Sequence, residues 1–274
     1  MTPVSPLDWP RWAQMWAMAA AVYAGCKWLT WQHAAVRQAP AWKHAAYLLA
    51  WPGLDATDFL AERPTAQTVI CRSIEWLAAA LRLACGVVLV FAVAPAIPPR
   101  HPYVVGWIGM IGLVMMLHFG VFHLLSCAWR RVGLQARPLM NRPLASTSLA
   151  EFWGRRWNTA FRDLTYRFLF RPCASWFGPR WGLVAGFLFS GMVHDLVISV
   201  PARGGYGGPT FFFAVQGAAM TFERSRVGRR IGLGSGWRGR LFTAAVLVAP
   251  VGLLFHRPFV VGIIVPFMHV LGAI

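Results

Sequence analysis

Long apolar stretches, separated by shorter polar segments rich in arginine, dominate the pattern of this 274-residue chain. The apolar stretches lie at 12–31, 76–97, 103–128, 181–200, 208–222, 241–255 and 258–274. A helix needs about 20 apolar residues to cross a bilayer, so the last three stretches must tilt, kink or pair. The pattern predicts an all-α integral membrane protein, a multi-span helical bundle with about seven spans and a range of about six to nine.

A helix of a different kind is predicted after Ser148. Ser148 and Glu151 have capping-box spacing, which indicates that a helix begins near residue 149. Apolar residues then recur every three or four positions, at Leu149, Phe152, Trp153, Trp157, Ala160, Phe161, Leu164 and Phe168. The opposite face holds Glu151, Arg155, Asn158, Arg162 and Thr165. Taken alone, this pattern is typical of a basic amphipathic helix on the cytoplasmic membrane surface.

Composition and charge support a membrane location. Hydrophobic residues make up 57% of the chain and charged residues 13%, against about a quarter in soluble domains. The net charge of +17 would suggest nucleic-acid binding in a soluble protein, but here the basic residues lie in loops, so we expect no nucleic-acid partner. No polar linker divides the chain, so residues 1–274 are interpreted as one membrane-embedded domain.

The distribution of the basic residues predicts the orientation. Loops 32–75, 129–180 and 223–240 together hold twenty Lys and Arg residues, and the opposite loops hold four. Cytoplasmic loops carry the excess of positive charge, so the three basic loops should face the cytoplasm. We expect a multi-pass protein of a bacterial inner membrane. Five cysteines are scattered singly and are interpreted as reduced packing residues, and we expect no metal site.

One ionisable pair lies well inside an apolar stretch. His194 and Asp195 occupy the 181–200 stretch, where a charged side chain costs about 2.5–3.5 kcal/mol, so a functional role is the default hypothesis. A structural polar pair between helices is the alternative. Ser190 and Gly191 lie one turn before His194, with Gly186 a turn earlier, and such small residues leave room for another helix or for a substrate.

Three segments together resemble a known family. EFWGRRWN (151–158), FRDLTYRFLFRP (161–172) and FLFSGMVHDL (187–196) are similar to the wax synthase branch of the membrane-bound O-acyltransferases. That family pairs a tryptophan–asparagine motif on a cytoplasmic amphipathic helix with a histidine in the next hydrophobic helix, and here 36 residues separate Asn158 from His194. The resemblance is specific over 144–209.

The resemblance implies transfer of a fatty acyl group from acyl-CoA to the hydroxyl of a lipophilic alcohol, in a buried tunnel among membrane lipids and without a cofactor. His194 would be the general base and Asn158 its polar partner. The chemistry suits these residues, because an attacking alcohol must lose a proton and histidine can take it near neutral pH. Further candidates for substrate binding are Trp153, Arg155, Arg156, Trp157, Arg162, Ser190, Asp195 and His118.

Three alternatives remain open from the sequence. The same chemistry could act on a polysaccharide or another polar acceptor. His194 and Asp195 could instead form the proton relay of a membrane transporter, although no internal repeat is visible. A purely structural membrane protein is the third. The sequence does not decide the acyl chain length, the acceptor or the oligomeric state.

Overall fold

Helices form the framework of the protein. The computed structural model describes residues 9–36, 38–61 and 71–274, and no strand occurs within these ranges. The helices are α1 (Arg11–Gln32), α2 (Ala41–Ala50), α3 (Ala56–Leu60), α4 (Ser73–Val93), α5 (Pro102–Arg131), α6 (149–156), α7 (159–177), α8 (Pro179–Ala202), α9 (Gly208–Glu223), α10 (Arg226–Arg230), α11 (Gly236–Leu254) and α12 (Arg257–Val270).

The seven apolar stretches all lie on helices, which confirms the prediction of a helical membrane protein. Among the described residues, α4, α5, α8 and α11 are long and apolar enough to cross a bilayer, and α12 is a shorter apolar helix. The stretches on α1 and α9 also form helices, of 22 and 16 residues. The count of seven spans and the sidedness of the loops stay predictions.

Wide helical turns interrupt several helices. In α5 the backbone is π-helical from Met115 to Val121, and in α8 from Asp195 to Ser199. Such turns are uncommon and occur often at functional sites, because they rotate the following side chains relative to the preceding ones. The turn in α8 begins at Asp195, directly after His194.

Two clusters of buried apolar side chains hold the helices together. The larger one includes Val90, Met110, Phe187, Phe213 and Ile263, and so joins α4, α5, α8, α9 and α12. The smaller one packs the segment around Trp51 and Phe59 against Leu139 and the start of α7, at Ala160 and Leu164. Because burial of apolar area contributes about 25 cal/mol per Å², these clusters fix where α6 and α7 lie relative to α8.

A buried lysine attaches α1 to the segment after α2. The side-chain nitrogen of Lys27 donates to the backbone oxygens of Trp51 (2.6 Å) and Gly53 (2.5 Å) and lies 3.5 Å from the ring centre of Tyr47. Lys27 is 3% exposed, so these acceptors replace the water that its buried nitrogen loses. The lysine thus positions the 51–55 segment.

Two of the cysteines are paired, which corrects the expectation that all five are unpaired. The structure joins Cys71, just before α4, to Cys127, near the end of α5, with 5.3 Å between their Cα atoms. Cys26, Cys85 and Cys173 are free. Fifty-six residues separate the paired cysteines in sequence, and only the packing of α4 against α5 brings them together.

Candidate functional site

The helix predicted to run through 149–168 is broken at Trp157 and Asn158. Trp157 is extended (φ −101°, ψ 127°) and Asn158 adopts the left-handed conformation (φ 40°). Asparagine tolerates this conformation better than most residues because its short side chain bonds locally. Its Oδ1 accepts from the Phe161 N–H at 3.2 Å and caps α7. The sequence periodicity spans the break and does not reveal it.

The start of α6 agrees with the capping prediction. Ser148 Oγ accepts from the Glu151 N–H at 3.0 Å. The Glu151 carboxylate accepts from the Thr147 N–H at 2.8 Å and from Arg156 Nη2 at 2.6 Å. The Thr147 N–H and then the Arg156 guanidinium lower the pKa of Glu151, so it stays ionised at neutral pH. This carboxylate therefore links Thr147, just before α6, to Arg156, at the end of α6.

The orientation of His194 is set by its own helix. Nδ1 lies 2.6 Å from the backbone oxygen of Ser190, one turn earlier. A carbonyl oxygen only accepts, so Nδ1 carries the proton and Nε2 of the neutral ring keeps its lone pair. The ring centre lies 4.7 Å from that of Phe213 on α9. This is the tautomer that a general base acting through Nε2 requires.

One cavity, of about 370 Å³, contains both His194 and Asn158. Six predicted site residues line it, namely Trp153, Trp157, Asn158, Arg162, Ser190 and His194. The sequence placed Asn158 at the membrane surface and His194 deep in a span. The structure breaks the 149–168 segment at Trp157 and Asn158, and Asn158 and His194 line the same space. We call this space the histidine cavity.

The glycines near His194 have different neighbours. A Cβ on Gly191 would lie 2.6 Å from the Cα of Thr210, so Gly191 allows α9 to approach α8 closely. A Cβ on Gly186 would meet nothing within 4 Å, and Gly186 lines the histidine cavity. The sequence suggested that these small residues make room for another helix or for a substrate. Gly191 makes room for α9, and Gly186 leaves open space in the cavity.

A second and more polar cavity of about 840 Å³ adjoins the first. The two share Gly154 and Arg162. Its charged lining residues are Asp55, Asp58, Glu75, Arg130, Arg137, Arg155, Arg162 and Asp163. Burial raises the pKa values of Asp58 and Asp163. We call this space the polar cavity.

Arg162 lies at the junction of the two cavities. Its Nη1 is 3.0 Å from Asp163 Oδ1, and its Nε is buried with no hydrogen-bond partner in the part of the chain that the structure describes. An unsatisfied buried donor costs about 1–3 kcal/mol, so this nitrogen is available for an acceptor brought by a ligand. Arg155 is exposed and lines the polar cavity but not the histidine cavity.

Two other candidates lie outside both cavities. Arg156, besides bonding Glu151, donates to the backbone oxygens of Asn141 (3.3 Å) and Arg142 (3.2 Å), so it holds a loop and is not free for a phosphate. His118 packs its ring edge against Phe122 and lines neither cavity. Its Nδ1 is buried and has no hydrogen-bond partner among the described residues, so its role in substrate binding stays a prediction.

Asp195 also lines neither cavity, so its assignment to substrate binding finds no support in the described structure. Its carboxylate accepts from Ser199 Oγ (2.9 Å), from the Gly207 N–H (2.9 Å), and from both the N–H (3.0 Å) and the hydroxyl of Thr210. It is therefore bound to the N-terminal end of α9. No hydrogen bond links it to His194 among the described residues, so a direct proton relay between the two finds no support.

Several cavity residues escaped the sequence analysis. Phe213 lies in an apolar run that looks like any span, and Tyr166 and Arg224 lie in basic segments. Gln216 could have been recognised from the sequence as a candidate site residue, since it is the one amide inside the apolar 208–222 stretch. Its Oε1 accepts from Trp153 Nε1 at 3.4 Å and its Nε2 donates to the Val246 oxygen at 2.9 Å, so it positions the tryptophan wall of the histidine cavity.

Most of the residues that line this cavity lie in a segment that matches a known family. Residues 136–215 match the membrane bound O-acyl transferase family. The matched O-acyltransferase region contains Asn158, His194 and Asp195, and ends within α9.

Curated plant proteins are also similar to part of the chain. The "Probable long-chain-alcohol O-fatty-acyltransferase 8" of Arabidopsis thaliana is 30% identical over 135 residues, which are 46% of this chain and 40% of the relative. The "Long-chain-alcohol O-fatty-acyltransferase" of Simmondsia chinensis is 32% identical over 101 residues, 34% of this chain and 29% of the relative. The "Acyl-CoA--sterol O-acyltransferase 1" of Arabidopsis thaliana is 31% identical over 77 residues, 26% and 22% of the two chains.

The chain thus matches less than half the length of these curated relatives. No solved structure matches it.

Proposed function

We propose that this protein is a membrane O-acyltransferase that transfers a fatty acyl group from acyl-CoA to the hydroxyl of a lipophilic alcohol. The observation that carries the proposal is His194, which lines the same cavity as Asn158 and whose Nδ1 hydrogen bond leaves Nε2 as the basic nitrogen. The similarity of 136–215 to the O-acyl transferase family, and of the chain to named long-chain-alcohol acyltransferases, supports the same reaction.

In the proposed reaction, His194 acts as the general base. Nε2 takes the proton of the alcohol hydroxyl as its oxygen attacks the carbonyl carbon of the thioester. The C–S bond then breaks, and the CoA thiolate receives that proton from His194. An ester and free CoA result, and the histidine returns to its starting state. General-base catalysis of this kind contributes about 10²–10⁴-fold.

Asn158 is proposed to donate to the oxygen that becomes negative. Its Oδ1 is occupied by the Phe161 N–H, so the amide is fixed and its Nδ2 is the group left for a ligand. A donor directed at a developing oxyanion stabilises the transition state most strongly where water is excluded. Asn158 would thus act through its amide nitrogen, not as a base.

The two cavities suit the two parts of a thioester donor. The histidine cavity has apolar walls, including Leu183, Phe187 and Met220, which suit an acyl chain or a lipophilic alcohol. Arg155 and Arg162 border the polar cavity and could pair with CoA phosphates, because guanidinium groups bind phosphate in a bidentate manner. This arrangement would place the donor head group on the side of the basic loops, which we infer to be cytoplasmic.

The experiment that tests the proposal is an acyl-transfer assay on the detergent-purified protein. Labelled long-chain acyl-CoA would be supplied with fatty alcohols, sterols, diacylglycerol and a polysaccharide fragment. Ester on a lipophilic alcohol is the expected product. Ester on the polysaccharide alone would replace the acceptor with a polar one. Neither ester nor acyl-CoA-dependent release of free CoA, from folded protein, would contradict the acyltransferase.

Asn158 offers a test that separates its two roles. Asn158→Gly keeps a residue that tolerates positive φ, and glycine caps cost only a few tenths of a kcal/mol, so stability should hardly change. Asn158→Ala loses the cap and adds backbone strain, for about 2 kcal/mol in all. We expect both variants to lose most acyl transfer. Wild-type activity in Asn158→Gly, measured beside its melting temperature, would leave Asn158 a helix cap only.

A further inference from the structure

A group of potential metal ligands lies away from the histidine cavity, where α4 begins and α5 ends. Cys71, Glu75 and Cys127 each offer a ligand atom, and these three atoms lie within 4.8 Å of one another. His123 Nε2 is 3.7 Å from Glu75 Oε2. His123 and Cys127 are four residues apart on α5, which puts both side chains on one face of that helix. Cys71 lies just before α4, and Glu75 lies in the first turn of α4.

The histidine of this group has an unused nitrogen. His123 Nε2 is buried and makes no hydrogen bond within the described part of the chain, and the side chain is 12% exposed. A buried polar atom without a partner costs about 1–3 kcal/mol, so native proteins usually satisfy it with a bond or an ion. Cys127 is fully buried beside it, whereas Cys71 and Glu75 are partly exposed and leave a path for an ion.

The charges around the group fit a divalent cation bound by thiolates. Two thiolates and one carboxylate carry three negative charges, and a zinc ion with two positive charges leaves one net negative charge. Arg130 supplies the balancing charge, since its Nη2 lies 2.7 Å from Glu75 Oε2 and 3.4 Å from Cys127 Sγ. Arg82 is a second cation close to His123. The arginines would pair with the ligands from outside the metal.

The redox state decides what the two cysteines do. While Cys71 and Cys127 form a disulfide, their sulfurs cannot bind a metal ion as thiolates. The ends of α4 and α5 border basic loops that the charge bias places in the cytoplasm, where thiol reductants keep cysteines reduced. Reduction converts the disulfide into two thiols, with the electrons supplied by a cellular dithiol or glutathione. Tetrahedral zinc, with bonds of about 2.0–2.3 Å, needs ligand atoms about 3.3–3.8 Å apart. The two sulfurs would therefore separate on reduction, within a group whose ligand atoms already lie within 4.8 Å of one another.

We propose that, in the reduced protein, Cys71, Glu75, His123 and Cys127 bind one zinc ion that ties the start of α4 to the end of α5. The site is structural, because four protein ligands fill the tetrahedral positions of zinc. Glu75 and Arg130 also line the polar cavity, so the ion would hold one wall of that cavity in place. This proposal does not depend on the acyl-transfer reaction.

The test is a metal titration of the full chain in detergent, reduced with a phosphine and stripped with a chelator. Cobalt(II), which reports thiolate ligands by a charge-transfer absorption, should bind with one equivalent, and zinc should displace it. Cys127→Ser should abolish the band. Cys85→Ser is the matched control, since Cys85 lies on α4 outside the group and its loss should leave the band unchanged.

A second measurement needs no variant. Bound zinc should slow alkylation of the partly exposed Cys71 in the reduced wild-type protein but not alkylation of the exposed Cys85. The absence of a cobalt band, or equal alkylation with and without zinc, would overturn the proposal. So would a Cys71–Cys127 disulfide in protein taken from cells under thiol trapping, because the pair would then be a covalent link.

Discussion

Replacing His194 with asparagine is expected to lower acyl transfer by about 10²–10⁴-fold while the protein stays folded. The Asn Nδ2 can occupy the position of Nδ1 and donate to the Ser190 oxygen, so the local hydrogen bond survives. What is lost is Nε2, the proposed proton acceptor. The measurement is kcat/KM for ester formation from labelled acyl-CoA, with the melting temperature recorded on the same preparation.

Two comparisons make this result specific. His101→Ala alters an exposed histidine just before α5, outside both cavities, and should leave the rate unchanged. His194→Ala should be as inactive as His194→Asn, because both lack the basic nitrogen. Full activity in a folded His194→Asn protein would disprove the general-base assignment, whatever the acceptor.

Loss of the Asp195 carboxylate should mainly reduce stability. Asp195→Ala leaves four donors without their acceptor, those of Ser199, Gly207 and Thr210. Hydrogen bonds to charged groups contribute about 1.5–3 kcal/mol each, and water can replace some of them near Gly207, so we expect a loss of about 3 kcal/mol. The melting temperature in detergent should fall by roughly 5–10 °C.

Activity should decline with the stability of Asp195→Ala, since α9 carries the Phe213 ring that packs against His194. Asp195→Asn keeps the shape and one acceptor oxygen and should have an intermediate melting temperature. If Asp195→Asn melted like the wild type but had no activity, Asp195 would act on the reaction itself, and its assignment as an anchor for α9 would be wrong.

The periodicity predicted which segments are helices, yet it missed where they break. Ser148 was correctly placed as the cap of α6, because a cap depends on residues three positions apart. The break at Asn158 was missed, because the apolar spacing on its two sides continues in register. The left-handed backbone of Asn158 is tolerated by a local side-chain bond and by burial of Ala160 and Leu164 in the smaller cluster.

Whether a candidate site residue borders a cavity or makes a structural contact depends on which residues of other helices pack against it. His194 and Asp195 are adjacent in sequence and equally unusual in a span, and the sequence predicted a general base at the first and a substrate contact at the second. The structure directs the first toward a cavity and the second toward the start of α9. Arg155 and Arg156 divide in the same way, one bordering the polar cavity and the other bonding a loop.

The sequence by itself determined that this is a helical membrane protein. The free energy of transferring an apolar segment out of water depends on the composition and length of that segment and only weakly on the residues that pack against it. The sequence also marked the 144–209 region and the intramembrane histidine. Only the tertiary structure decided that Asn158 and His194 share a cavity, that Arg156, Asp195 and His118 lie outside it, and that Cys71 and Cys127 meet. These are contacts between residues distant in the chain, and they depend on how packed helices cross, which no local pattern encodes.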